Sequence, residues 1–212
     1  MRIDIVFDPV CPWCYIGKRR LEKALALRPQ VTAALGWRPF LLNPELPVEG
    51  IDRTAFLIRK FGSEARIRRL YGAISSAGQS VEIEFAFDRI RHTPNSVNAH
   101  RLVRFAARWD KAGDAVEALF FDYFINGKNT GEIGVLLNIG VNMGLDEGAL
   151  HTYLAGDEDV ELIYEENARA HRLGLNGVPT YVFNDQHVIS GAQEPQILAR
   201  MLDVAHAAEA AA

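Results

Sequence analysis

Cysteine is the scarcest chemically reactive residue in this 212-residue sequence, with only two copies, at positions 11 and 14. A zinc site made of cysteines alone is therefore excluded, and the six histidines lack the close spacing that would complete a mixed site. A disulfide across so few residues would restrict the unfolded chain little and would be a poor structural staple. A structural disulfide and half of a zinc site stay as the weaker alternatives to a redox dithiol.

Long apolar runs and a strong charge of either sign are also missing. No segment approaches the length of a transmembrane helix. The formal net charge of −4 gives no electrostatic reason to propose nucleic acid or an anionic membrane as a partner. The first residues enter a strand pattern without the features of a secretory signal, so we expect a cytoplasmic protein. In a reducing cytosol, a lone cysteine pair is better explained by catalysis or redox sensing.

The two cysteines belong to the motif Cys-Pro-Trp-Cys at positions 11–14, between a strand pattern and a helix pattern. Residues 2–7 alternate in polarity as a strand does, and residues 15–25 have apolar side chains at helical spacing. The rest of the chain, at 49% hydrophobic residues, is rich enough for a sizeable core. The thiols are therefore expected to open a helix of a globular protein.

Cys11 at the start of a helix is expected to be a reactive thiolate, because the unpaired N–H groups and the positive end of the helix dipole favour an anion. Pro12 suits the first helical position. Cys14 lies about one turn further on, so the two sulfurs can approach each other. We expect Cys11, at an exposed tip, to be the nucleophile and Cys14 the resolving thiol.

Periodicity predicts an α/β fold whose small mixed sheet is interrupted by a helical block. A second strand is predicted over 31–42, and a hairpin over 180–183 and 187–190, followed by a final helix over 194–207. Helices are predicted at 52–61, 63–77, 95–110, 113–125, 132–143, 146–154 and 157–173. The expected N-caps are Asp52, Ser63, Asp114, Asp146 and Asp157. We expect no comparably strong strand within the helical block.

Val178-Pro179 directly precedes the predicted hairpin. An X-Pro bond at such a turn can be cis, although base rates favour a trans proline at the start of a strand. A proline has no N–H, which leaves the backbone of its neighbour free to pair with an extended ligand.

Together, these segments resemble the DsbA family of thioredoxin-fold oxidoreductases, and most of all its FrnE-like branch, which is related to 2-hydroxychromene-2-carboxylate isomerases and kappa-class glutathione transferases. The segments that carry the resemblance are DPVCPWCYIGKRRLE at 8–22, PFLLNP at 39–44, TPN at 93–95, AHRL at 99–102, GVPT at 177–180 and VISGAQ at 188–193.

The resemblance implies a thioredoxin-like domain formed by residues 1–44 and 174–212, with an inserted α-helical subdomain at 45–173. It implies Cys11 as nucleophile, Cys14 as resolving cysteine and Pro179 as a cis proline facing them. Glutathione-dependent members of the group have serine at the first motif position, whereas this chain keeps both sulfurs. Because no further cysteine pair exists, a relay of electrons through a second internal dithiol is excluded.

Further site residues follow from position and from the resemblance. Asp8 is a candidate for proton transfer with Cys14, with a helix-capping role as the alternative. The candidates for substrate contact are Pro12, Trp13, Val178, Asn43, Asn95 and His100. Trp13 is expected to be exposed, and a turn role, a capping role and helix packing are the alternatives for Asn43, Asn95 and His100, respectively.

The resulting hypothesis is a protein-disulfide oxidoreductase or isomerase that exchanges disulfides with protein or small-molecule thiols through a mixed disulfide. No tightly bound cofactor or metal is expected, and glutathione is a candidate co-substrate. One alternative is a glutathione-dependent isomerase or transferase acting on an aromatic small molecule, and another is a redox-sensing binding module. The direction of electron flow is open, and so is the oligomeric state, a homodimer included.

Overall fold

The computed structural model describes residues 1–210, so the last two residues of the predicted segment 174–212 lie outside it. The strands are β1 (Arg2–Phe7), β2 (Ala34–Pro39), β3 (Ile51–Asp52), β4 (His92–Thr93), β5 (Thr180–Phe183) and β6 (His187–Ser190). The helices are α1 (Pro12–Ala26), α2 (Arg53–Phe61), α3 (Glu64–Gln79), α4 (Val97–Ala107), α5 (Ala112–Phe124), α6 (Ile133–Asn142), α7 (Glu147–Ala155), α8 (Val160–Arg172) and α9 (Pro195–Ala210). None of the helices in these described residues is long and apolar enough to cross a membrane.

The main sheet is mixed, with the strand order β2-β1-β5-β6. Strand β1 pairs in parallel with β2 and antiparallel with β5, so that Ile5 lies opposite both Trp37 and Tyr181. Helix α1 makes the crossover that a parallel pair requires. The predicted hairpin of β5 and β6 is confirmed, with Asn184 and Asp185 at positive φ in its turn. The α/β fold with a helical insertion is therefore confirmed.

The long connection from β2 to β5 is mainly helical, as periodicity predicts. The side-chain caps are confirmed at Asp52, Ser63 and Asp146. The other two predicted caps are wrong. Helix α5 begins at Ala112, which places Asp114 inside its first turn, and α8 is preceded by Asp159 in left-handed backbone rather than by Asp157.

One strand prediction needs correction. Strand β2 is limited to Ala34–Pro39 within the predicted 31–42, because Pro39 ends its pairing with β1. The helical block also contains the pair β3 and β4, each only two residues long. Two residues cannot display an alternating pattern, so periodicity alone could not reveal this pair.

Five of the inserted helices, α3 to α7, share one continuous core with the main sheet and α1. The ring of Phe7 on β1 packs edge-on against Phe120 of α5, with the centroids 6.2 Å apart. Tyr15 of α1 stacks on the same Phe120 ring at 5.0 Å. These contacts fix the first turns of α1 between the sheet and the insertion.

The second turn of α1 approaches the sheet closely because Gly17 has no side chain. A Cβ atom at Gly17 would lie 2.3 Å from the hydroxyl oxygen of Tyr181 and 2.7 Å from Cγ of Pro179. Real Cβ atoms do not approach other atoms so closely. The absent side chain is therefore what allows α1 to rest on the loop before β5.

We expect Gly17→Ala to destabilise the protein by about 1–3 kcal/mol, because α1 must move away from Pro179 and Tyr181 to make room. Gly72→Ala is the matched control, since Gly72 is an exposed residue inside α3 whose added Cβ would have no neighbour within 4 Å. That change should stabilise the protein by about 0.5–1 kcal/mol through helix propensity. Urea unfolding of the two variants measures the difference, and equal stabilities would contradict the close approach.

Candidate active site

Cys11 and Cys14 are both free thiols at the start of α1. Cys11 is 4% exposed and Cys14 3% exposed, so the expectation of an exposed nucleophile is wrong. Cys11 is buried because the loop before β5 covers it: its thiol lies 3.8 Å from the carbonyl oxygen of Val178. Trp13 was also expected to be exposed, but it is half-buried and packs against the main core.

Cys11 lies at the N-terminal end of α1, where backbone N–H groups have no intrahelical partner. Cys11 is the N-cap residue, with extended backbone and no side-chain cap, and Pro12 occupies the first helical position as predicted. The first turn contains no acidic residue that would oppose the positive end of the helix dipole. The arrangement therefore matches the electrostatic environment that makes cysteines reactive.

The loop that faces the cysteines is held in place at several points. The peptide bond between Val178 and Pro179 is cis. The carbonyl of Pro179 accepts a hydrogen bond from the amide of Gly191 at 2.7 Å. The hydroxyl of Thr180 donates to the carbonyl of Gly177 at 2.8 Å. These bonds fix the Val178 carbonyl beside Cys11.

Asp8 lies directly after β1 and is completely buried. Its carboxylate accepts hydrogen bonds from the amides of Val10 at 3.1 Å and Leu42 at 2.8 Å. The alternative role as a cap of α1 is therefore wrong, since both amides belong to loops. Burial raises the pKa of Asp8 to about 6, and the two amide bonds oppose that rise.

The Cys14 thiol is kept protonated by its surroundings. Burial raises the pKa of the Cys14 thiol well above its ordinary value, and the hydrogen bond and charge interaction with Cys11 raise it further. The charge of Asp8 acts in the same direction. The Asp8 carboxyl and the Cys14 thiol therefore lie close enough for their charges to interact.

The more distant candidates for substrate contact have internal partners. Asn95 is buried, donates to the carbonyl of Leu46 at 2.8 Å and accepts from the amide of Val97 at 3.0 Å. Asn43 is half-buried and accepts from Lys60 at 2.8 Å. Their proposed contact with substrate stays a prediction, and the structure shows them stabilising the loops around Leu46.

His100 lies on α4, away from the cysteines. Its ring packs edge-on against Phe7 at 5.0 Å, and Nε2 lies 3.3 Å from the carbonyl oxygen of Phe40. Burial lowers the pKa of His100 to about 3, so the ring is neutral near pH 7. It lines a cavity of about 380 Å³ beside β2, to which neither cysteine contributes. A substrate held at Cys11 would therefore not reach His100 through this cavity.

Sequence reasoning missed Tyr181, whose hydroxyl is buried behind the cysteine motif. Alternation along β5 places Tyr181 on the same face as Ile5, and this face carries α1. That pattern could have indicated the position, but not the contact with Gly17. Within residues 1–210, no group of three or more His, Cys, Asp or Glu side chains could hold a metal ion.

Comparisons with known proteins agree with this geometry. Residues 2–203 match the family described as the DSBA-like thioredoxin domain. An uncharacterised Bacillus subtilis protein, YwbO, is 25% identical over 199 residues, which cover 91% of this chain and 90% of that protein.

Two solved structures are similar over nearly the whole chain. A probable DsbA oxidoreductase from Streptomyces coelicolor has a TM-score of 0.88 at 25% identity, covering 98% of this chain and 90% of that chain. The cytosolic disulfide reductase DsbM from Pseudomonas aeruginosa, solved with GSH, has a TM-score of 0.68 at 17% identity, covering 96% and 98%. The family match extends over residues 2–203 and includes both the sheet and the helix that carries the cysteines. The chain therefore belongs to the DSBA-like thioredoxin domain family.

Proposed function

We propose that this protein is a thiol–disulfide oxidoreductase that uses Cys11 as nucleophile and Cys14 as resolving cysteine. The observation that carries the proposal is the pair of free thiols at a helix N-terminus, packed against the cis-proline loop and next to Asp8, whose pKa is about 6. A structural disulfide would not need a protonatable carboxyl at this place. Family membership supports the same class of chemistry.

In the reductive direction, the thiolate of Cys11 attacks one sulfur of the substrate disulfide. A bond forms between Sγ of Cys11 and that sulfur, and the substrate disulfide bond breaks. The other substrate sulfur leaves as a thiolate and takes a proton from solvent. The helix N-terminus stabilises the attacking thiolate, since no acidic residue in the first turn opposes it.

The second step releases the substrate. Cys14 transfers its proton to the Asp8 carboxylate, and the resulting thiolate attacks Sγ of Cys11. The Cys11–Cys14 disulfide forms while the bond between Cys11 and the substrate breaks, so one disulfide replaces another and no external electrons are needed. In the oxidative direction, the same steps run in reverse.

The burial of Cys11 limits the shape of its substrates. With 4% of its surface exposed and the Val178 carbonyl 3.8 Å from its thiol, Cys11 leaves few directions of approach to a disulfide. An extended peptide or a small thiol such as glutathione fits this requirement. We propose glutathione as a co-substrate in the cytoplasm, with no tightly bound cofactor, and the binding of GSH by the Pseudomonas reductase supports this proposal.

The mixed disulfide can be trapped by Cys14→Ser. Given oxidised glutathione, this variant should accumulate one glutathione on Cys11, because serine cannot resolve the bond, and disulfide turnover should collapse. The wild type should pass to the internal disulfide, and Cys11→Ser should remain unmodified. Mass spectrometry of the intact protein distinguishes the three products.

The same variant separates exchange from glutathione-dependent chemistry on an aromatic small molecule. If Cys14→Ser loses turnover, both sulfurs are needed, as proposed. If turnover of an aromatic substrate with glutathione persists in Cys14→Ser, and the wild type neither reduces nor oxidises a model disulfide, the proposed function is wrong. A redox-sensing role would give slow exchange with a partner affinity that follows the redox state.

Asp8→Asn should slow the resolving step on the order of 100-fold at neutral pH, because an amide cannot accept the Cys14 proton. In the wild type, the rate should rise as pH increases through about 6, where the Asp8 carboxyl ionises, and Asp8→Asn should lose this rise. The decay of the mixed disulfide, followed by rapid quenching between pH 5 and 8, provides both quantities.

Asp4→Asn is the control for that experiment. Asp4 lies within β1 and is also buried, but its carboxylate pairs with Arg2 and Arg38 and not with the cysteine loops. Its replacement should leave the pH profile of the resolving step unchanged. Equal profiles for wild type and Asp8→Asn would show that the proton goes elsewhere.

A further inference from the structure

Tyr181 places a hydroxyl group against the helix that carries the cysteines. The side chain is fully buried on the face of β5 that α1 covers. Its oxygen lies 2.3 Å from the point that a Cβ of Gly17 would occupy, and Cγ of Pro179 lies 2.7 Å from the same point. The hydroxyl therefore lies between the helix and the cis-proline loop.

This hydroxyl has no hydrogen-bond partner among residues 1–210. Buried polar groups are nearly always hydrogen-bonded, because a buried donor without a partner has lost its hydrogen bonds to water and gained none in return. A phenylalanine would fill the same space without this cost. The unpaired hydroxyl of Tyr181 therefore points to an acceptor that arises during the reaction and is weak in the dithiol state.

The sulfur of Cys14 is such an acceptor. Residues three apart on a helix are neighbours on one face, so Cys14 is adjacent to Gly17, where the hydroxyl lies. A protonated thiol is a weak acceptor, but a thiolate is a strong one.

The charged and titratable groups around Tyr181 agree with a donor role. Cys11, Cys14 and Arg20 face it from α1, and Asp8 lies at the end of β1. The guanidinium of Arg20 pairs with Glu194 and donates to the carbonyl of Ala192. His187 lies on β6, two residues before Ile189, the partner of Tyr181. Burial and the charges of Cys14 and Cys11 raise the pKa of Tyr181, so it keeps its proton.

We propose that the Tyr181 hydroxyl donates a hydrogen bond to the Cys14 sulfur as Cys14 becomes a thiolate and attacks Cys11. The inference rests on the proposed function and adds a residue to its second step. The proton of Cys14 goes to Asp8, the bond from Cys11 to the substrate breaks, and the Cys11–Cys14 bond forms. Tyr181 keeps its own proton throughout and stabilises the charge on the attacking sulfur.

Tyr181→Phe tests the proposal because it removes one oxygen and keeps the ring. The decay of the glutathione mixed disulfide should slow about tenfold, as expected for the loss of a hydrogen bond to a charged group, while its formation keeps the wild-type rate. Tyr15→Phe is the control. Tyr15 lies on α1 beside Cys14, but its hydroxyl donates a hydrogen bond to Glu117. It should leave both steps unchanged.

A second measurement does not require exchange activity. In a Cys11→Ser background, Cys14 is the sole cysteine, so the NMR shift of its labelled Cβ follows its ionisation. Adding Tyr181→Phe should move that ionisation upward by about one pH unit. The role of Tyr181 would be overturned if the mixed disulfide of Tyr181→Phe decayed at the wild-type rate and the added change did not move the titration of Cys14.

Failure of the proposed function and failure of the proposal for Tyr181 give different results. If the wild type forms no mixed disulfide on Cys11, the proposed function is wrong, and the titration of Cys14 still decides whether Tyr181 stabilises its thiolate. If the wild type exchanges disulfides and Tyr181→Phe slows both steps equally, the side chain acts through packing alone, and the proposal is wrong.

Discussion

The contact on which the site depends is the close approach of α1 to the loop before β5, made possible at Gly17. This approach sets the positions of both cysteines relative to Pro179. It also brings Val178 over Cys11 and places Tyr181 behind the motif. A side chain at position 17 would separate two segments that are distant in sequence, and the reactive surface would no longer be assembled. The chemistry therefore depends on a residue that contributes no chemical group.

Burial raises the pKa values of two neighbouring acids. Both the Asp8 carboxyl and the Cys14 thiol have raised pKa values, and desolvation is the main cause for each. A carboxyl with an ordinary pKa would be too weak a base for a thiol that ionises only at high pH. The same desolvation that holds Cys14 in its protonated form thus increases the basicity of its neighbour. His100 follows the same rule in the opposite direction, since burial keeps its ring uncharged.

Local patterns predicted much of the architecture. Alternation over 2–7, helical spacing in the insertion, and the hairpin near 180–190 each depend on neighbouring residues, and the structure contains all three. The environment of the cysteines was harder to predict. Cys11 looked exposed because a helix start usually is, but the Val178 carbonyl that covers it is 167 residues away in sequence. The spacing of residues within the motif does not reveal this long-range contact.

Charged side chains show the same limit. In the basic run after the motif, Lys18 and Arg19 both pair with Glu117 of α5. Arg20 extends to the end of the hairpin, where it meets Glu194. Each partner comes from a segment that the chain reaches only after folding. The sequence therefore predicts which residues carry charge, while the tertiary fold decides which of them are neutralised.

The small exposed area of Cys11 also affects how fast its thiol is damaged by oxidation. Oxidation of a thiolate beyond the sulfenic state is irreversible for most proteins, and it depends on how freely small oxidants reach the sulfur. The Val178 carbonyl lies against the Cys11 sulfur and reduces the area that an oxidant can reach. The contact that limits the directions of approach to Cys11 therefore also slows its oxidation by small molecules.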